Sequence, residues 1–318
     1  MQSSSNHKHR WGVILSGGDG IRLRPLTRLL AGDDRPKQFC RLLGEKTLLA
    51  QTRDRVARTI PPDRTLFVLT KSHEPFYSAE LAEVPPAQMV VQPSNRGTLP
   101  AILWSLMRLV RLDQQAVVAF FPSDHHYAND RKFMAEVASA FEAAEDAPSV
   151  ILLGASATAP EVEYGWIEPE PMPIDSRLSR VRRFWEKPSY QVAQRLMDQG
   201  CLWNTFVMVG RADAFLEMIQ SAEPRLYKTF QTAVVQCRAD MNPEFMRAVY
   251  GQIETADFSK RVLSGTTERL AVLSLGDIGW DDLGDPRRVS AMLPQIGLRK
   301  PAGQALASEV LVSVATAG

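Results

Sequence analysis

The residues able to do chemistry begin just after a short polar start. An apolar run over residues 11–15 breaks into Ser16, Gly17, Gly18, Asp19 and Gly20, then Arg22, Arg24 and a proline stop at Pro25. A buried strand that opens into a glycine-rich turn is where α/β proteins hold phosphates. Glycines let backbone N–H groups converge on an anion without Cβ interference. An arginine beside them can grip phosphate oxygens in fork geometry. Gly17, Gly18, Gly20 and Arg22 are therefore candidates to hold a nucleoside triphosphate. Glycine spacing alone leaves a plain strand-to-helix turn open as well. No Gly-Lys-Ser/Thr follows, and Leu23 stands where a dinucleotide fingerprint carries its third glycine. Lys37, stiffened by Pro36, is a second candidate cation or a lysine flanking a helix. Asp124 closes the apolar run 116–121 and could hold a hard divalent ion or cap a turn. His125 and His126 point oppositely on an extended segment and lack a clustered third ligand, so zinc is not expected.

Such residues need a scaffold, and the apolar periodicity predicts one. Strands are expected over 11–15, 65–69, 88–91, 116–121 and 149–153. Helices are expected between them, over 47–60, 73–84, 99–112 and 131–145. Strand–helix alternation at this spacing argues for a parallel sheet with right-handed crossovers. Ligands bind at the carboxyl ends of such strands, where both the glycine loop and Pro122-Ser123-Asp124-His125 fall. The second half is less regular. Strands are expected over 164–167, with a close-approach glycine at Gly165, and over 180–185, 202–209 and 269–275. A helix over 190–199 closes at Gly200, and helical patterns fill 212–249. The apolar residues of 99–112 read as core-facing, and Asp257 reads as a helix N-cap. The expected organisation is a flexible tail over 1–10, a domain over 11–295 and a short tail over 296–318.

Composition narrows the partners. The chain has 318 residues, is 45% hydrophobic and carries a formal net charge of +1. No global field favours nucleic acid or an anionic membrane, so neither is expected as a partner. Cys40, Cys201 and Cys237 form no CxxC pattern and read as reduced thiols. Neither a signal peptide nor a membrane span is apparent, which makes the cytoplasm the default location.

The string Gly-Gly-x-Gly-x-Arg-Leu-x-Pro-Leu-Thr, followed by Arg35-Pro36-Lys37-Gln38-Phe39, resembles the sugar nucleotidyltransferases, and among them the mannose-1-phosphate guanylyltransferases. The resemblance continues in order. Residues 92–102 look like "EP…RNTAPAI", 121–125 like "PSDH" and 164–167 like "YGYI". Residues 184–188 look like "FVEKP", 203–205 like "WNS" and 279–284 like "GWSDVG". It covers roughly residues 11–290. The fold it implies is α/β: a Rossmann-like, GT-A type, mixed and mainly parallel sheet flanked by helices. With so short a tail after about 295, it is expected without a complete C-terminal β-helix extension of the kind many relatives carry. The activity it implies is transfer of a nucleotidyl group from GTP to mannose 1-phosphate, with Mg²⁺ as cofactor. Arg22 and Lys37 would neutralise the triphosphate, and Lys187 would contact the sugar phosphate. Gly165, Glu186 and Asn204 would bind the sugar. Asp124 and Asp282 would hold the metal, with Asp281 as the alternative at the second position.

Several positions depart from that pattern. Gly97 replaces the asparagine of "RNTAP" and Leu99 its alanine. Gln92 and its surroundings are similar to thymidylyltransferases, where a glutamine reads the base. Gln92 is thus a candidate base contact or a plain strand end. Thr205-Phe206 replaces the Ser-Gly of "WNSGMF", adding an aromatic where sugar should lie. The same reaction with dTTP or UTP and glucose 1-phosphate stays open, as does a non-catalytic nucleotide-sugar binding protein. The relatives' dimer does not carry over from a chain this short, though a homodimer stays open.

Overall fold

The first apolar run forms β1 (Arg10–Leu15), bonded on both sides to parallel neighbours. In this computed structural model, which describes residues 6–171, 177–236, 243–286 and 288–289, the strand begins one residue earlier than expected. Arg10 is buried, donates from Nε to Glu145 at 2.7 Å and lies over the Phe141 ring. His9 sits 2.9 Å from Asp113, which also accepts from the Trp11 indole. The expected tail over 1–10 is thus anchored at its last two residues.

After the glycine loop comes α1 (Arg24–Ala31), with Pro25 in its first turn. Pro25 therefore starts a helix rather than stopping a segment. A first-turn N–H has no partner within the helix, so proline's missing donor costs nothing there, and its fixed φ suits the turn. Next is α2 (Leu48–Val56), capped by the Thr47 hydroxyl, which accepts from Ala50 N–H at 3.0 Å. β2 (Thr65–Thr70) is buried at every position. The helix expected over 73–84 shortens to α3 (Glu74–Tyr77), one turn, and Tyr77 and Leu81 are the hydrophobic residues of that stretch that are fully buried. β3 (Met89–Gln92), α4 (Thr98–Leu112), β4 (Val117–Pro122), β5 (His126–Tyr127), α5 (Asp130–Asp146) and β6 (Val150–Ser156) follow. The second half adds β7 (Gly165–Pro169), β8 (Leu178–Glu186), α6 (Tyr190–Asp198) and β9 (Leu202–Arg211). It ends in α7 (Ala212–Ala222), α8 (Pro224–Gln236), α9 (Pro243–Gln252), α10 (Phe258–Arg261), β10 (Leu270–Ser274) and β11 (Trp280–Asp281).

The main sheet has the order β3-β2-β1-β4-β9-β6-β10-β8-β7, with β7 also bonded to β9. Its first four strands are parallel, as expected. Beyond them the sheet is mixed, as expected: β6 and β10 pair in parallel, and two strands run against the rest. β9 runs antiparallel between β4 and β6, and β8 is antiparallel to both β10 and β7. Periodicity reports that a segment is a strand but carries no direction, so an inserted antiparallel strand is invisible to it.

Alternation along the strands separates two cores. Val13, Val68, Phe120 and Leu152 pack with α4, α7, α8 and α9, whereas Ile14, Phe67, Phe121 and Ile151 pack with α2 and α5. Successive side chains on a strand face opposite sides, so each strand contributes to both layers. Two smaller clusters underlie the cleft. Leu23, Leu26, Leu42, Leu48 and Leu283 pack beneath the glycine loop. Tyr164, Trp166 and Trp203 pack against Ala193 and Leu196 of α6. Among the described residues no helix is long and apolar enough to cross a membrane. Cys40 and Cys201 are buried free thiols, whereas Cys237 and the expected tail over 296–318 lie outside the described residues.

Candidate active site

In the register of the parallel strands, Leu15 lies opposite both Val68 and Pro122, so the carboxyl ends of β1, β2 and β4 are level. A cleft of about 390 Å³ opens there, walled by Gly17, Gly18, Gln92, Asp124, Gly165, Glu186, Asn204 and Asp282. A second recess of about 350 Å³ is lined by Gly20, Arg22, Lys37, Asp124 and Gly284. Asp124 belongs to both. Each residue given a site role from the sequence therefore lines one recess or the other. The exceptions are Lys187, which stands at the rim beside Glu163, and the alternative carboxylate Asp281.

The glycine loop is tied down before any ligand arrives. The Gln38 carboxamide, 2% exposed, donates from Nε2 to the carbonyls of Ser16 (3.1 Å) and Gly18 (2.7 Å). The Thr70 hydroxyl donates to the Gly17 carbonyl at 2.9 Å. Three consecutive carbonyls are thus engaged from the protein side. The Asp19 carboxylate accepts from Asn95 at 2.8 Å and lies 3.0 Å from His73 Nε2. Burial holds the His73 pKa below its ordinary value although Asp19 pulls the other way. A Cβ at Gly17 would fall 2.6 Å from Gln92 Nε2, which places the end of β3 against the loop. The Gln92 Oε1 accepts from the Tyr250 hydroxyl at 3.1 Å.

The charged residues form one connected group. Lys37 is buried; its ammonium donates to the backbone carbonyls of Asp282 and Leu283 and lies 3.2 Å from Asp124 Oδ2. Asp282 Oδ1 accepts from the Tyr164 hydroxyl (2.9 Å), Gly284 N–H (2.8 Å) and Arg288 (2.8 Å). Its Oδ2 is 3.7 Å from Arg22. Burial pushes the Asp282 pKa up, but Lys37, His125 and Arg288 outweigh it and hold the carboxyl below the usual range. Asp281 differs: it is outside the cleft wall, accepts from Leu283 N–H at 2.6 Å and has its pKa raised by burial. The two adjacent carboxylates thus occupy distinct environments, and Asp282 is the one that lines the cleft.

Among the described residues no cluster of three or more His, Cys, Asp and Glu could hold a metal unaided. Asp124 and Asp282 are two carboxylates on one cleft, and Mg²⁺ takes few protein ligands and fills its octahedron with phosphate oxygens and water. The donor set fits that ion. The two histidines do not converge: His125 Nδ1 accepts from the Trp280 indole at 3.2 Å, while His126 lies in β5 opposite Asp281.

The far side of the cleft is built by β7, β8 and β9. A Cβ at Gly165 would come within 2.8 Å of the Phe184 ring, 3.0 Å of Glu186 Oε2 and 3.3 Å of Asn204 Cβ, so these residues are in close contact. The Glu186 carboxyl is pushed up to about 7, chiefly by burial and then by the Asp257 carboxylate, against the pull of Lys187. Glu163 lies between Lys187 Nζ (3.3 Å) and Arg22 (3.4 Å), a carboxylate set between cations from the two sides. Asp257 caps α10, accepting from Lys260 N–H at 2.9 Å. Lys187, Phe206 and Leu283 all have positive φ. Each lies at or beside the cleft wall, and backbone strain of this kind clusters at functional sites. Gln38, Glu163 and Arg288 were not singled out from the sequence. Gln38 stood in a quoted motif without a role, and Arg288 carried no signal because it follows the last recognisable motif.

A family model described as nucleotidyl transferase matches residues 11–295. The xanthan biosynthesis protein XanB of Xanthomonas campestris pv. campestris is 30% identical over 277 residues, covering 86% of this chain and 57% of that one. A mannose-1-phosphate guanylyltransferase of Escherichia coli is 26% identical over 310 residues, covering 94% of this chain and 64% of that one. The chain thus spans somewhat more than half the length of the curated relatives it matches. A crystal structure from Thermus thermophilus, named as a mannose-1-phosphate geranyltransferase, superposes with a TM-score of 0.77 at 28% identity. It covers 92% of this chain and 80% of that one.

Proposed function

The chain belongs to the nucleotidyl transferase family, and from that premise we propose that it joins a nucleoside triphosphate to a sugar 1-phosphate. The reading carried furthest is GTP plus mannose 1-phosphate giving GDP-mannose and pyrophosphate. The observation behind it is the convergence of the loop residues Gly17, Gly18, Arg22 and Lys37 with Gly165, Glu186 and Asn204 on adjoining recesses that share Asp124. The Escherichia coli relative's name supports mannose and guanine as the pair.

An oxygen of the sugar 1-phosphate attacks the α-phosphorus in line. A new P–O bond forms as the bond to the α–β bridging oxygen breaks, and pyrophosphate leaves with that electron pair. No covalent enzyme intermediate is needed, so catalysis is positioning and charge neutralisation. The glycine loop cradles the phosphates in a shape fixed by Gln38 and Thr70. Arg22 and Lys37 offset the charge that builds on the leaving pyrophosphate. Lys187 exchanges its contact with Glu163 for the sugar phosphate. Asp124 and Asp282 would hold Mg²⁺, which when bound neutralises and orients the phosphates.

The same transfer with dTTP or UTP and glucose 1-phosphate is the second reading, favoured by Gln92 at the loop and by Phe206 in the sugar half. The deciding experiment measures pyrophosphate release with Mg²⁺ across a grid of nucleoside triphosphates and sugar 1-phosphates. Release with GTP and mannose 1-phosphate is expected. Release only with dTTP or UTP and glucose 1-phosphate selects the second reading, and no release with any pair removes the enzyme reading.

A further inference from the structure

β9 does not run straight through the cleft. Met208 lies opposite Leu152 and Asn204 opposite Gly154, so four steps along β9 span two along β6. The surplus residues bulge out, and bulges beside active sites serve to re-aim side chains. This one is braced at each residue. The buried Thr205 hydroxyl donates to the Leu153 carbonyl at 2.7 Å and accepts from Val207 N–H at 3.3 Å. Asn204 Oδ1 accepts from Phe206 N–H at 3.1 Å. At the apex Phe206 has φ 59, in the left-handed region that a bulky residue enters only at a cost. Glycine adopts this conformation freely, and glycine occupies this place in the "WNSGMF" segment that residues 203–206 resemble. The chain keeps the strained bend and sets Phe206, partly buried against the core, on the wall of the cleft that Asn204 and Gly165 also line.

We propose that Phe206 is a specificity-determining residue that closes the β9 side of the sugar half, admitting hexose 1-phosphates and rejecting N-acylamino-hexose 1-phosphates. The inference rests on the transfer reading above. An acylamino substituent needs room and partners for its N–H and C=O. Phe206 narrows the cleft on this side, and Asn204 Oδ1 is already committed to Phe206 N–H. An amide pressed against an apolar ring loses its water without replacement, which is how a pocket rejects a polar substituent. A hexose ring instead turns a C–H face toward the aromatic.

The test compares wild type, Phe206→Gly and Phe206→Asn, both replacements being tolerant of left-handed backbone. Two readouts are taken: kcat/KM for pyrophosphate release, and calorimetric binding in the presence of the nucleotide. The sugars are the hexose 1-phosphate that the wild type uses or binds best and 2-acetamido-2-deoxyglucose 1-phosphate. Both variants are expected to shift the ratio toward the acetamido sugar by at least about 10-fold, the scale of one pocket contact. An unchanged ratio in variants that melt like the wild type overturns the role of Phe206 while leaving the transfer reading intact. Selective binding without turnover in any protein overturns transfer alone, and absence of binding of either sugar overturns both.

Discussion

Glu186 shows how much chemistry a single cleft residue acquires from its surroundings. Its carboxyl is raised to about 7 by burial first and by Asp257 and Glu163 next, with Lys187 and Lys260 opposing. The folded-state pKa therefore exceeds the unfolded value. Its contribution to stability is fully present below the unfolded pKa of 4.5 and is lost as pH rises through about 7. Glu186→Gln removes that titration. The variant is expected to gain on the wild type between pH 5 and pH 8, by on the order of 1–2 kcal/mol after allowance for solvent screening. Urea midpoints at the two pH values measure this, and a pH-independent difference means that Glu186 is ionised throughout. Legibility at this scale is uneven. Glu186 could be picked from Glu-Lys-Pro, but its shifted pKa depends on residues 257 and 163, whose proximity only the fold supplies. Gln38 was likewise visible as a letter, while its grip on the Ser16 and Gly18 carbonyls was not.

At the scale of elements, the approach to α4 explains a departure that the motif comparison left bare. Gly97 precedes the helix with φ 82 and ψ −178, and a Cβ there would fall 2.4 Å from the Ala256 carbonyl oxygen. The backbone is pressed against residue 256, whose N–H donates to Arg96 O and whose carbonyl accepts from Leu99 N–H. An asparagine, as in the resembling pattern, would need this crossing rebuilt. Gly97→Ala is expected to cost at least about 2–3 kcal/mol, since strain and collision act together. Gly200→Ala is the control: its φ is 72 but nothing lies within 4 Å of the added Cβ. It should cost roughly 1 kcal/mol. Equal losses in chemical denaturation would mean that the contact with residue 256 relaxes freely. The elements themselves were largely readable, because long amphipathic or apolar runs report their period. Pro25 misled because a proline reads as a stop until the helix after it is seen, and the residues at 73–84 misled because few of them are buried.

The whole molecule adds what neither residues nor elements contain: the pairing that brings residue 282 to residue 124. β5 and β11 form a two-stranded ribbon, Tyr127 opposite Trp280 and His126 opposite Asp281. That ribbon sets Asp282 beside the end of β4, and Lys37 clasps both segments through the Asp282 carbonyl and the Asp124 carboxylate. Sequence order could suggest that the two aspartates share a site, but their meeting depends on a two-residue strand too short to carry a periodic signal. A ligand that bridges phosphates and both carboxylates should therefore stabilise the fold as a unit. Mg²⁺ with the nucleoside triphosphate at about 100 times its Kd is expected to add about 2.7 kcal/mol. Asp282→Asn should keep the nucleotide-dependent part and lose the part that requires Mg²⁺. Asp281→Asn should keep both, because that carboxylate faces Arg288 and the Leu283 N–H rather than the cleft. Thermal melts with nucleotide alone and with added Mg²⁺ separate the two contributions. A metal-dependent shift that survives in Asp282→Asn but vanishes in Asp281→Asn would move the second ligand to the other carboxylate and require the ribbon to reorganise on binding.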